Sequence, residues 1–549
     1  MPIIRRRSVF SAIMLGTATV LLWLAWEVLA AGGITLGDSI ILGGLLVVAP
    51  WNGMSLGNAL PGLWLLLGRH DPAVAVLPAS AAIRGGLPQS QTAIVLCVRN
   101  EDMATVLPAL GRLLDGLEAA GAGALFSAWI LSDTQDAALI QRETLAVEGF
   151  CRSQALRVQY RRRAENTGFK AGNIMDFLDR QSGDHALMLT LDADSEMSAA
   201  AVLRLVRCME ADPGLALLQQ LIVGRPARAA FPRLFQFGMR AGMRAWATGQ
   251  AWWQQGDGPY WGHNAIIRIA PFRQHCRLEP LADGSTILSH DQVEAVRLHA
   301  AGWKVMCLPS EDGSLEANPP ALPEFLARDQ RWGAGNMQYL ALLRMPELTL
   351  MGRWQLAQAM LLFLGAPAWV LVLLAAALGA GAADVDAGWL LALLLFGWSS
   401  YCAAKLAGYA EILLRPKRAQ AYGGRWRFVQ GALAELVFTA LFEPISLVNK
   451  TLSLLALACG LKIGWLPQNR AEHGVAWADA CRLLWPHTLF GVAVTGLFAV
   501  ASPTALLWAL PFTAGLVLAV PFCVLTASPG FSRWLMANGI AATPEELVG

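Results

Sequence analysis

The segment Met188-Leu-Thr-Leu-Asp192-Ala-Asp194-Ser195 places two carboxylates directly after a mostly apolar run. Side chains at positions i and i+2 of an extended segment share a face, so we expect Asp192 and Asp194 to present oxygens to one small site where a strand leaves its sheet. Mg²⁺ takes one or two carboxylates and completes its coordination shell with substrate phosphates. The pair therefore indicates a cation that grips a nucleotide diphosphate, although an Asp-x-Asp also occurs by chance and needs support from the rest of the chain.

The composition indicates a soluble domain set between membrane segments. Of the 549 residues, 55% are hydrophobic and only 15% are charged, which is too apolar for an ordinary soluble protein. Acids and bases crowd between Arg99 and Arg353, while the ends of the chain are nearly uncharged. The net charge of +2 gives no indication of nucleic acid as a partner. The nine cysteines include no CxxC pair, so neither a zinc site nor a disulfide framework is predicted.

Two apolar runs predict an N-terminal transmembrane hairpin over residues 1–70. The first, Val9–Ala31, follows a cluster of arginines as in a secretory signal peptide. It is nevertheless long enough to span a bilayer, which needs about 20 residues. A second run, Ile40–Leu67, follows almost at once, and we expect Asn52 and Pro61 to bend or interrupt it.

Residues 89–345 carry the pattern of an α/β domain. Apolar, β-branched runs predict buried strands, with helical patterns between them. The strands are predicted at Thr92–Val98, Ser127–Ser132, Ala186–Leu191 and Leu215–Val223, and helices at Ala171–Gln181 and Ala199–Met209. Alternation of strand and helix predicts a doubly wound, mostly parallel sheet.

Polar residues follow three of these strands. They are Arg99-Asn-Glu101 after the first, Asp133 after the second, and Asp192 with Asp194 after the third. Ligands of doubly wound sheets bind beyond the carboxyl ends of the strands. This convergence favours a functional site over a chance Asp-x-Asp.

The chain after Arg353 predicts a C-terminal transmembrane bundle over residues 355–527. Candidate spans are Gln355–Leu378, Trp389–Ala407, Val429–Leu441, Ile445–Gly460, Leu489–Ala501 and Ala505–Thr526. The two short spans flank Pro444 and form either a hairpin or one long tilted helix. We therefore predict eight spans in total, with seven as the alternative.

Positive residues set the expected orientation. The loops 411–428 and 461–486 are basic, as are Arg5–Arg7 and Arg69. The positive-inside rule places all of them in the cytoplasm. The soluble domain and the tail 528–549 are expected on the same side.

Two further segments predict site chemistry. Asp291 lies at the start of a predicted helix in Ile287-Leu-Ser-His-Asp-Gln-Val-Glu294, where it is either an N-cap or a general base. Arg331 and Trp332 lie on a helical stretch, Pro323–Met345. Arg331 has the geometry for a bidentate contact to a pyrophosphate, and Trp332 offers a flat face for a sugar ring. A surface arginine and a half-buried tryptophan are the alternative interpretation.

A resemblance to a known family rests on strings spread over nearly all of the chain from Thr92 onward. The strings are Glu101, Asp133, Tyr160-Arg-Arg-Arg163, Asn166-Thr-Gly-x-Lys170-Ala-Gly-Asn173, Asp192-x-Asp194, Tyr260-Trp-Gly-His263-Asn264-Ala-Ile-Ile-Arg268, Ile287-Leu-Ser-His290-Asp291, Arg331-Trp-x-x-Gly-Asn336, Gly464-Trp465 and Thr543-Pro-Glu-Glu546. The chain is similar to processive family 2 glycosyltransferases, the group that includes cellulose synthases. It more closely resembles the glucans biosynthesis glucosyltransferase H family, which makes osmoregulated periplasmic glucans. The family's long N-terminal extension is expected to be absent, and Arg328 stands where the wider group has Gln.

The resemblance implies a GT-A-type α/β domain between transmembrane segments, with UDP-glucose as donor and Mg²⁺ or Mn²⁺ as cofactor. It implies an inverting transfer that builds a β-linked glucan with β-1,2 linkages. Carried over by position, the implied roles are Glu101 and Asp133 on the uridine, Lys170 near the phosphates, Asp194 on the metal, Asp192 on the nucleotide side of the metal site, Asp291 as base, Arg331 on the departing diphosphate and Trp332 under the acceptor. Arg99 and Asn173 complete the implied donor site, and Arg328, His263, Asn264 and His290 the acceptor site.

The implied partners are the growing glucan and the lipid bilayer of the bacterial inner membrane, with acyl carrier protein and periplasmic glucan-modifying proteins as further ones. A polar glucan cannot cross hydrocarbon unaided, so the spans after Gln355 are predicted to line a path. Trp389, Trp398 and Tyr401 are candidate lining residues, with interfacial anchoring as the alternative. An amphipathic helix predicted at Phe231–Trp253 packs on the sheet or on the membrane surface, or lines that path.

Two other functions stay open. One is an enzyme of another product, such as a cellulose synthase or a lipid-linked sugar transferase. The other is a membrane transporter or sensor that binds UDP-sugars without catalysis. Asp291 beside the Asp-x-Asp argues against a sensor, which needs no base. The enzyme hypothesis requires Asp291 and Asp194 to meet in one cytosolic pocket.

Overall fold

The computed structural model describes residues 1–30, 33–68, 71–82, 86–381, 385–461 and 470–547. Its strands are β1 Thr92–Val98, β2 Phe126–Ser132, β3 Val158–Arg162, β4 Leu187–Asp192, β5 Glu196–Met197, β6 Leu215–Gln220, β7 Val223–Gly224, β8 Ala265–Arg268, β9 Lys304–Leu308 and β10 Ser314–Glu316. The helices up to the end of the α/β domain are α1 Ile3–Leu29, α2 Leu36–Gly68, α3 Pro72–Val76, α4 Met103–Ala119, α5 Ala137–Ser153, α6 Phe169–Arg180, α7 Ala199–Ala211, α8 Ala230–Gln254, α9 Ile269–His275, α10 His290–Ala300, α11 Leu322–Met337 and α12 Tyr339–Leu342. The later helices are α13 Leu350–Gly379, α14 Ala387–Tyr401, α15 Ala403–Leu414, α16 Pro416–Ala421, α17 Arg425–Ala458, α18 Trp477–Ala501, α19 Pro503–Val517, α20 Ala519–Thr526, α21 Pro529–Ala537 and α22 Pro544–Leu547.

The four predicted strands correspond to β1, β2, β4 and β6, which lie in one seven-stranded sheet with the order β3-β2-β1-β4-β8-β6-β9. Strand β1 runs parallel to β2 and β4, and β2 to β3. Only β8 is antiparallel to its neighbours β4 and β6 in this sheet. The prediction of a mostly parallel sheet is therefore confirmed. The carboxyl ends of β1, β2 and β4 lie side by side at one edge.

Alternate residues of β1 enter two separate apolar cores. Ile94 and Leu96 join the core formed with α4 and α7. Ala93 and Val95 join the core formed with α6, α9 and α10. Because both faces of the strand are covered, its sequence is a continuous apolar run, as expected for a doubly wound sheet.

The first two helices pack closely, as expected for a hairpin. A Cβ added at Gly53 would lie 2.5 Å from the Met14 carbonyl oxygen, and one at Gly57 would lie 2.9 Å from the Phe10 ring. Small residues of this kind let membrane helices approach each other. Helix α2 runs without interruption through Asn52 and Pro61. The Asn52 Nδ2 donates to the Gly397 carbonyl (2.8 Å) and to Ser400 Oγ (2.9 Å), so a neighbouring helix satisfies the NH2 group of the amide.

Within the described residues, five helices are long and apolar enough to cross a bilayer: α1, α2, α13, α17 and α18. Two bent pairs, α14 with α15 and α19 with α20, raise the total to seven if each is one span. The short spans predicted around Pro444 lie on the single helix α17, so the hairpin and the total of eight are wrong. At 34 residues, α17 is about 50 Å long and exceeds the roughly 30 Å of hydrocarbon. It therefore extends beyond the bilayer, as in the single-helix alternative.

The predicted cytoplasmic loops are shorter than expected. Helices α16 and α17 occupy most of 411–428, and α18 begins at Trp477. Arg69 and the Gly464-Trp465 string lie outside the described residues.

Helix α8 joins the α/β domain to the membrane helices. At its crossing with α2, a Cβ on Gly249 would lie 1.9 Å from the Asn58 carbonyl oxygen, and one on Gly62 would lie 2.0 Å from the Ala245 carbonyl oxygen. Trp253 donates from Nε1 to Asn58 Oδ1 at 2.7 Å. The predicted amphipathic helix therefore packs between other helices, and its position relative to the membrane surface stays a prediction.

The C-terminal residues also bind α8. Arg233 is buried, donates to the Ile540 carbonyl at 2.7 Å and pairs with Glu546. Arg240 pairs with Glu545. The Thr543-Pro-Glu-Glu546 string thus ties α22 to α8, the helix that joins the α/β domain to the membrane helices.

Candidate active site

The Asp-x-Asp lies where β4 ends. The strand stops at Asp192, and Ala193 and Asp194 form a turn closed by a 3.0 Å bond from the Ser195 amide to the Asp192 carbonyl. The expectation that both carboxylates lie on one face of an extended strand is therefore wrong, because Asp194 lies in the turn after the strand. The turn brings both of them to Arg470, whose pKa is raised although burial opposes the rise, because Asp194, Glu101 and Asp192 lie around it.

Lys170, the second residue of α6, holds Asp192. Its ammonium donates to Asp192 Oδ1 and to the Gly262 carbonyl, the latter at 2.8 Å. Burial alone would raise the pKa of Asp192, but Lys170, with His263 and Arg470, lowers it to about 2. Asp192 is therefore ionised at neutral pH and neutralised by a lysine.

Asp291 lies in the first turn of α10. The N-cap of that helix is Ser289, so the N-cap interpretation of Asp291 is wrong. Gly262 has φ 96°, and a Cβ there would lie 3.5 Å from Asp291 Oδ2. Since the Gly262 carbonyl accepts from Lys170, which also donates to Asp192, Gly262 lies between Asp291 and the Lys170–Asp192 pair. Asp291 also lies close enough to raise the pKa of Lys170.

Arg470 links the Asp-x-Asp to Glu101. Its Nη1 lies 3.3 Å from Glu101 Oε2, and its Nε lies 3.5 Å from Asp194 Oδ2. Burial raises the pKa of Glu101, and Arg470 opposes that rise. Sequence reasoning missed Arg470, because the basic character of its loop indicated only orientation in the membrane. No local pattern ties that loop to β4.

Asp133 and Arg163 form a second polar pair at the sheet edge. Arg163 donates from Nε and Nη2 to the two oxygens of Asp133, each at 2.8 Å, and to the Phe169 carbonyl at 3.1 Å. The pair fixes the loop before α6. On the neighbouring strand, Arg99 is half-buried at the carboxyl end of β1. Asp133 and Arg99 therefore lie at the edge of the sheet where a donor nucleotide is predicted to bind.

Asn173 and Asn264 are used within the fold. Asn173 is buried, accepts from Arg161 at 2.7 Å and donates to the Leu131 carbonyl at 3.2 Å. Asn264 adopts φ 52° and donates to Ser314 Oγ at 3.0 Å. These contacts position α6 and β8, and the donor and acceptor contacts implied for the two asparagines stay predictions.

The two histidines each face a carboxylate. His263 Nδ1 lies 3.2 Å from Ser195 Oγ, and its Nε2 lies 3.6 Å from Glu316 Oε1. His290 Nδ1 lies 3.0 Å from Glu294 Oε1. Burial lowers the pKa of both imidazoles, but Glu316 for His263 and Glu294 for His290 raise it above the ordinary value. His290 therefore points along its own helix.

Helix α11 supplies Arg328, Arg331 and Trp332. The Arg328 guanidinium lies over the Trp332 ring, 4.6 Å from its centroid, and Trp332 is 46% exposed. Arg331 is buried, and burial together with Arg328 and Arg470 lowers its pKa. A Cβ on Gly335 would lie 2.2 Å from Ser289 Oγ, which places α11 directly against the start of α10. The helix that carries the two guanidinium groups therefore packs against the N-terminal end of the helix that carries Asp291.

A metal site at the Asp-x-Asp fits the donor set. Among the described residues, no group of three or more His, Cys, Asp or Glu side chains could hold a metal ion by itself. Mg²⁺ and Mn²⁺ accept one or two carboxylates when substrate phosphates supply the other oxygens. Asp194 and Asp192 match that requirement, since Asp194 faces a cationic group in the pocket.

The sheet topology, the acids at the carboxyl ends of its strands and the apolar helices around it define a multi-pass membrane glycosyltransferase of the GT-A type. The model of "Glycosyl transferase family 2" matches residues 94–276, and that of "Glycosyl transferase family group 2" matches residues 187–410. Relatives named glucans biosynthesis glucosyltransferase H are 34% identical in Bradyrhizobium diazoefficiens, over 99% of this chain and 75% of the relative. In Caulobacter vibrioides the identity is 32%, over 97% of this chain and 84% of the relative. The chain belongs to the glucans biosynthesis glucosyltransferase H family, so it is a glycosyltransferase of glucan synthesis.

One of the matching solved structures is a mannosyltransferase. The mannosyltransferase PcManGT from Pyrobaculum calidifontis, in complex with GDP-Man and Mn²⁺, is 15% identical with a TM-score of 0.40. The match covers 66% of this chain and 98% of that one.

Proposed function

We propose that the protein is an inverting glucosyltransferase of the bacterial inner membrane that polymerises glucose from UDP-glucose into a β-1,2-linked periplasmic glucan. The observation that carries the proposal is the position of Gly262, which lies beside Asp291 and whose carbonyl accepts from the Lys170 ammonium that also holds Asp192. This arrangement supports a common site for the predicted base and the predicted metal-binding acids. Those elements are what a single-displacement glycosyl transfer requires.

The donor side of the pocket can hold a nucleotide diphosphate. Asp194 and Asp192 would hold Mg²⁺ or Mn²⁺, which supplies charge neutralisation at the diphosphate when it is bound. As UDP departs, negative charge develops on its β-phosphate. Arg331 would supply a fixed positive charge near that position, and such preplaced charge favours the transition state over the bound substrate.

Asp291 would act on the acceptor side as the general base. The terminal hydroxyl of the glucan attacks C1 of glucose, the bond from C1 to the UDP oxygen breaks, and UDP leaves with the electron pair. The hydroxyl proton passes to Asp291. A single displacement inverts C1 and needs no protein nucleophile, so one carboxylate is sufficient.

A polar route leads from this pocket toward the membrane helices. Asp329 Oδ2 lies 3.5 Å from Lys450 Nζ, and Gln330 Nε2 lies 3.5 Å from Asn449 Oδ1. Farther along α17, Glu443 accepts from the Tyr401 hydroxyl at 2.8 Å. Polar groups inside a membrane bundle face its interior or a cavity and mark transport paths. They support a glucan path along α17 and favour Tyr401 as a lining residue.

The two tryptophans proposed for the path differ from Tyr401. Trp389 packs edge-on against Trp23, with ring centroids 5.3 Å apart, and is 37% exposed. That setting favours interfacial anchoring. Trp398 stays a candidate for either role, and acyl carrier protein stays a predicted partner.

The test uses the purified full chain in lipid nanodiscs with radiolabelled UDP-glucose and Mg²⁺, followed by linkage analysis of the polymer. We expect a β-1,2 glucan, and a β-1,4 product would instead identify a cellulose-type synthase. Asp291→Asn should lower kcat by about 10²- to 10⁴-fold while UDP still binds. Asp179→Asn, at an exposed carboxylate paired with Arg277, is the matched control. Unchanged turnover in Asp291→Asn would exclude Asp291 as the general base. UDP-glucose binding without turnover in the unaltered chain would favour a sensor.

A further inference from the structure

Arg470 is the only cation that the described chain brings to Asp194 from outside the catalytic domain within ion-pair distance. It lies on the segment between α17 and α18, and its guanidinium contacts both Glu101 and Asp194. The residues that follow it are anchored elsewhere. Glu472 accepts from the Arg228 amide at 2.9 Å, and His473 Nε2 lies 3.3 Å from Glu324 Oε1. Residues 470–473 are therefore held beside the α/β domain, with the Arg470 side chain directed toward Glu101 and Asp194.

The acids around Arg470 need a positive partner. Glu101 Oε2 lies 3.3 Å from Nη1 of its guanidinium, and Asp194 Oδ2 lies 3.5 Å from Nε. Carboxylates that share a site repel one another unless a cation lies between them. In this structure Arg470 supplies that cation. Its side chain is 31% exposed, so it can move aside without leaving a closed cavity behind.

A divalent ion and Arg470 would compete for the same oxygens. Mg²⁺ requires carboxylate oxygens at about 2.1 Å, and Arg470 Nε lies 3.5 Å from Asp194 Oδ2. A guanidinium so close to the ion's ligand would repel the ion. We propose that Arg470 is an exchangeable counter-cation of the donor site, which neutralises Asp194 and Glu101 in the substrate-free enzyme and is displaced when the metal–nucleotide binds. This inference rests on the proposed function, because it assumes that Asp194 is the metal ligand.

The competition is measured with Mn²⁺ alone, without nucleotide, by the electron paramagnetic resonance signal of the free ion. The full chain in nanodiscs is titrated as wild type and as Arg470→Gln. Removal of the competing charge should tighten Mn²⁺ binding roughly fivefold or more. Arg470→Lys keeps the charge and should change the affinity less.

Two further variants separate competition from a general charge effect. Arg482→Gln removes an exposed arginine of α18, which pairs with Asp479. This variant should leave the Mn²⁺ affinity unchanged. Asp194→Asn should abolish the gain produced by Arg470→Gln. Equal Mn²⁺ affinity in Arg470→Gln and wild type would overturn the proposal, as would an equal gain in Arg482→Gln or retention of the gain in the double variant with Asp194→Asn. Glucan synthesis plays no part in this titration, so failure of the proposed function would be seen separately.

Discussion

His290 and Asp291 are adjacent in the chain, but their side chains contact different parts of the site. His290 lies 3.0 Å from Glu294 on its own helix. Asp291 faces Gly262, where a Cβ would come within 3.5 Å of its carboxylate. The imidazole therefore stabilises the first turn of α10, and the carboxylate is left to the pocket. The acceptor contact implied for His290 stays a prediction.

The pairing of His290 with Glu294 predicts a pH-dependent stability. The pKa of His290 is raised because Glu294 outweighs the effect of burial. The stabilisation is therefore complete below the pKa of an unfolded histidine, about 6.5, and is lost as pH rises through the raised value. In Glu294→Gln, the Tm should fall below that of wild type at pH 6 by roughly 1–3 °C. The difference should shrink toward pH 9.

Differential scanning fluorimetry in detergent across this pH range measures the two curves. Groups that titrate equally in both proteins cancel in their difference. A difference in Tm that stays constant from pH 6 to pH 9 would mean that His290 carries no charge in the folded protein.

At the level of helices and strands, close crossings hold the domain against the bundle. Helices α2 and α8 meet through Gly62 and Gly249, with carbonyl oxygens where a Cβ would have to lie. No rotamer change can relieve such an overlap, because its partner is backbone. The crossing therefore requires glycine on both helices.

Gly249→Ala should separate α2 from α8 and destabilise the protein by about 3 kcal/mol or more, since overpacking against backbone forces the helices apart. Gly365→Ala on α13 is the matched control, because a Cβ there meets no atom within 4 Å. The control should be neutral or slightly stabilising, since alanine is the better helix former. Thermal unfolding of both variants measures the effect. Equal Tm values for the two would contradict the crossing described above.

The sequence predicts elements better than the contacts between them. Strands β1 and β4 follow from apolar runs, and their acids converge because parallel strands end at one edge. Pro444 suggested a break, but neighbouring helices allow a membrane helix to continue through proline. Arg470 could not be predicted, because its partners lie far away in the chain and no periodicity marks the contact. Asn173 and Asn264 could be identified from the sequence as parts of family motifs. Their hydrogen bonds within the fold could not be predicted, because their partners lie far away in the chain.

At the level of the whole molecule, polar contacts link the α/β domain to the membrane bundle. They join Asp329 and Gln330 on α11 to Lys450 and Asn449 on α17. Because breaking a buried ion pair leaves an uncompensated charge, these contacts also fix α11 against the membrane helix. Helix α11, which carries the predicted acceptor residue Trp332, and the proposed glucan path should therefore act together.

Sealed vesicles with UDP-glucose outside and the catalytic domain facing outward test the path. We expect radiolabelled glucan to accumulate inside, protected from added glucanase, because polymer entering the route along α17 can leave only at the far side. Lys450→Met should reduce the protected fraction severalfold more than it reduces total synthesis. Polymer found only on the donor side would end the translocation proposal.

The extensive burial of α8 has a consequence for any attempt to study the catalytic half alone. Its Phe, Trp and Arg side chains are covered by α2, α15, α17 and the C-terminal residues. A fragment cut at the edges of the α/β domain would expose that surface to water as a large apolar patch, which promotes aggregation. The fragment would also lack Arg470, whose guanidinium pairs with Glu101 and Asp194. The α/β domain and the membrane helices consequently form one folding unit. Exchanging either part with that of a distant homologue requires exchanging both sides of the interface between α8 and the helices that cover it.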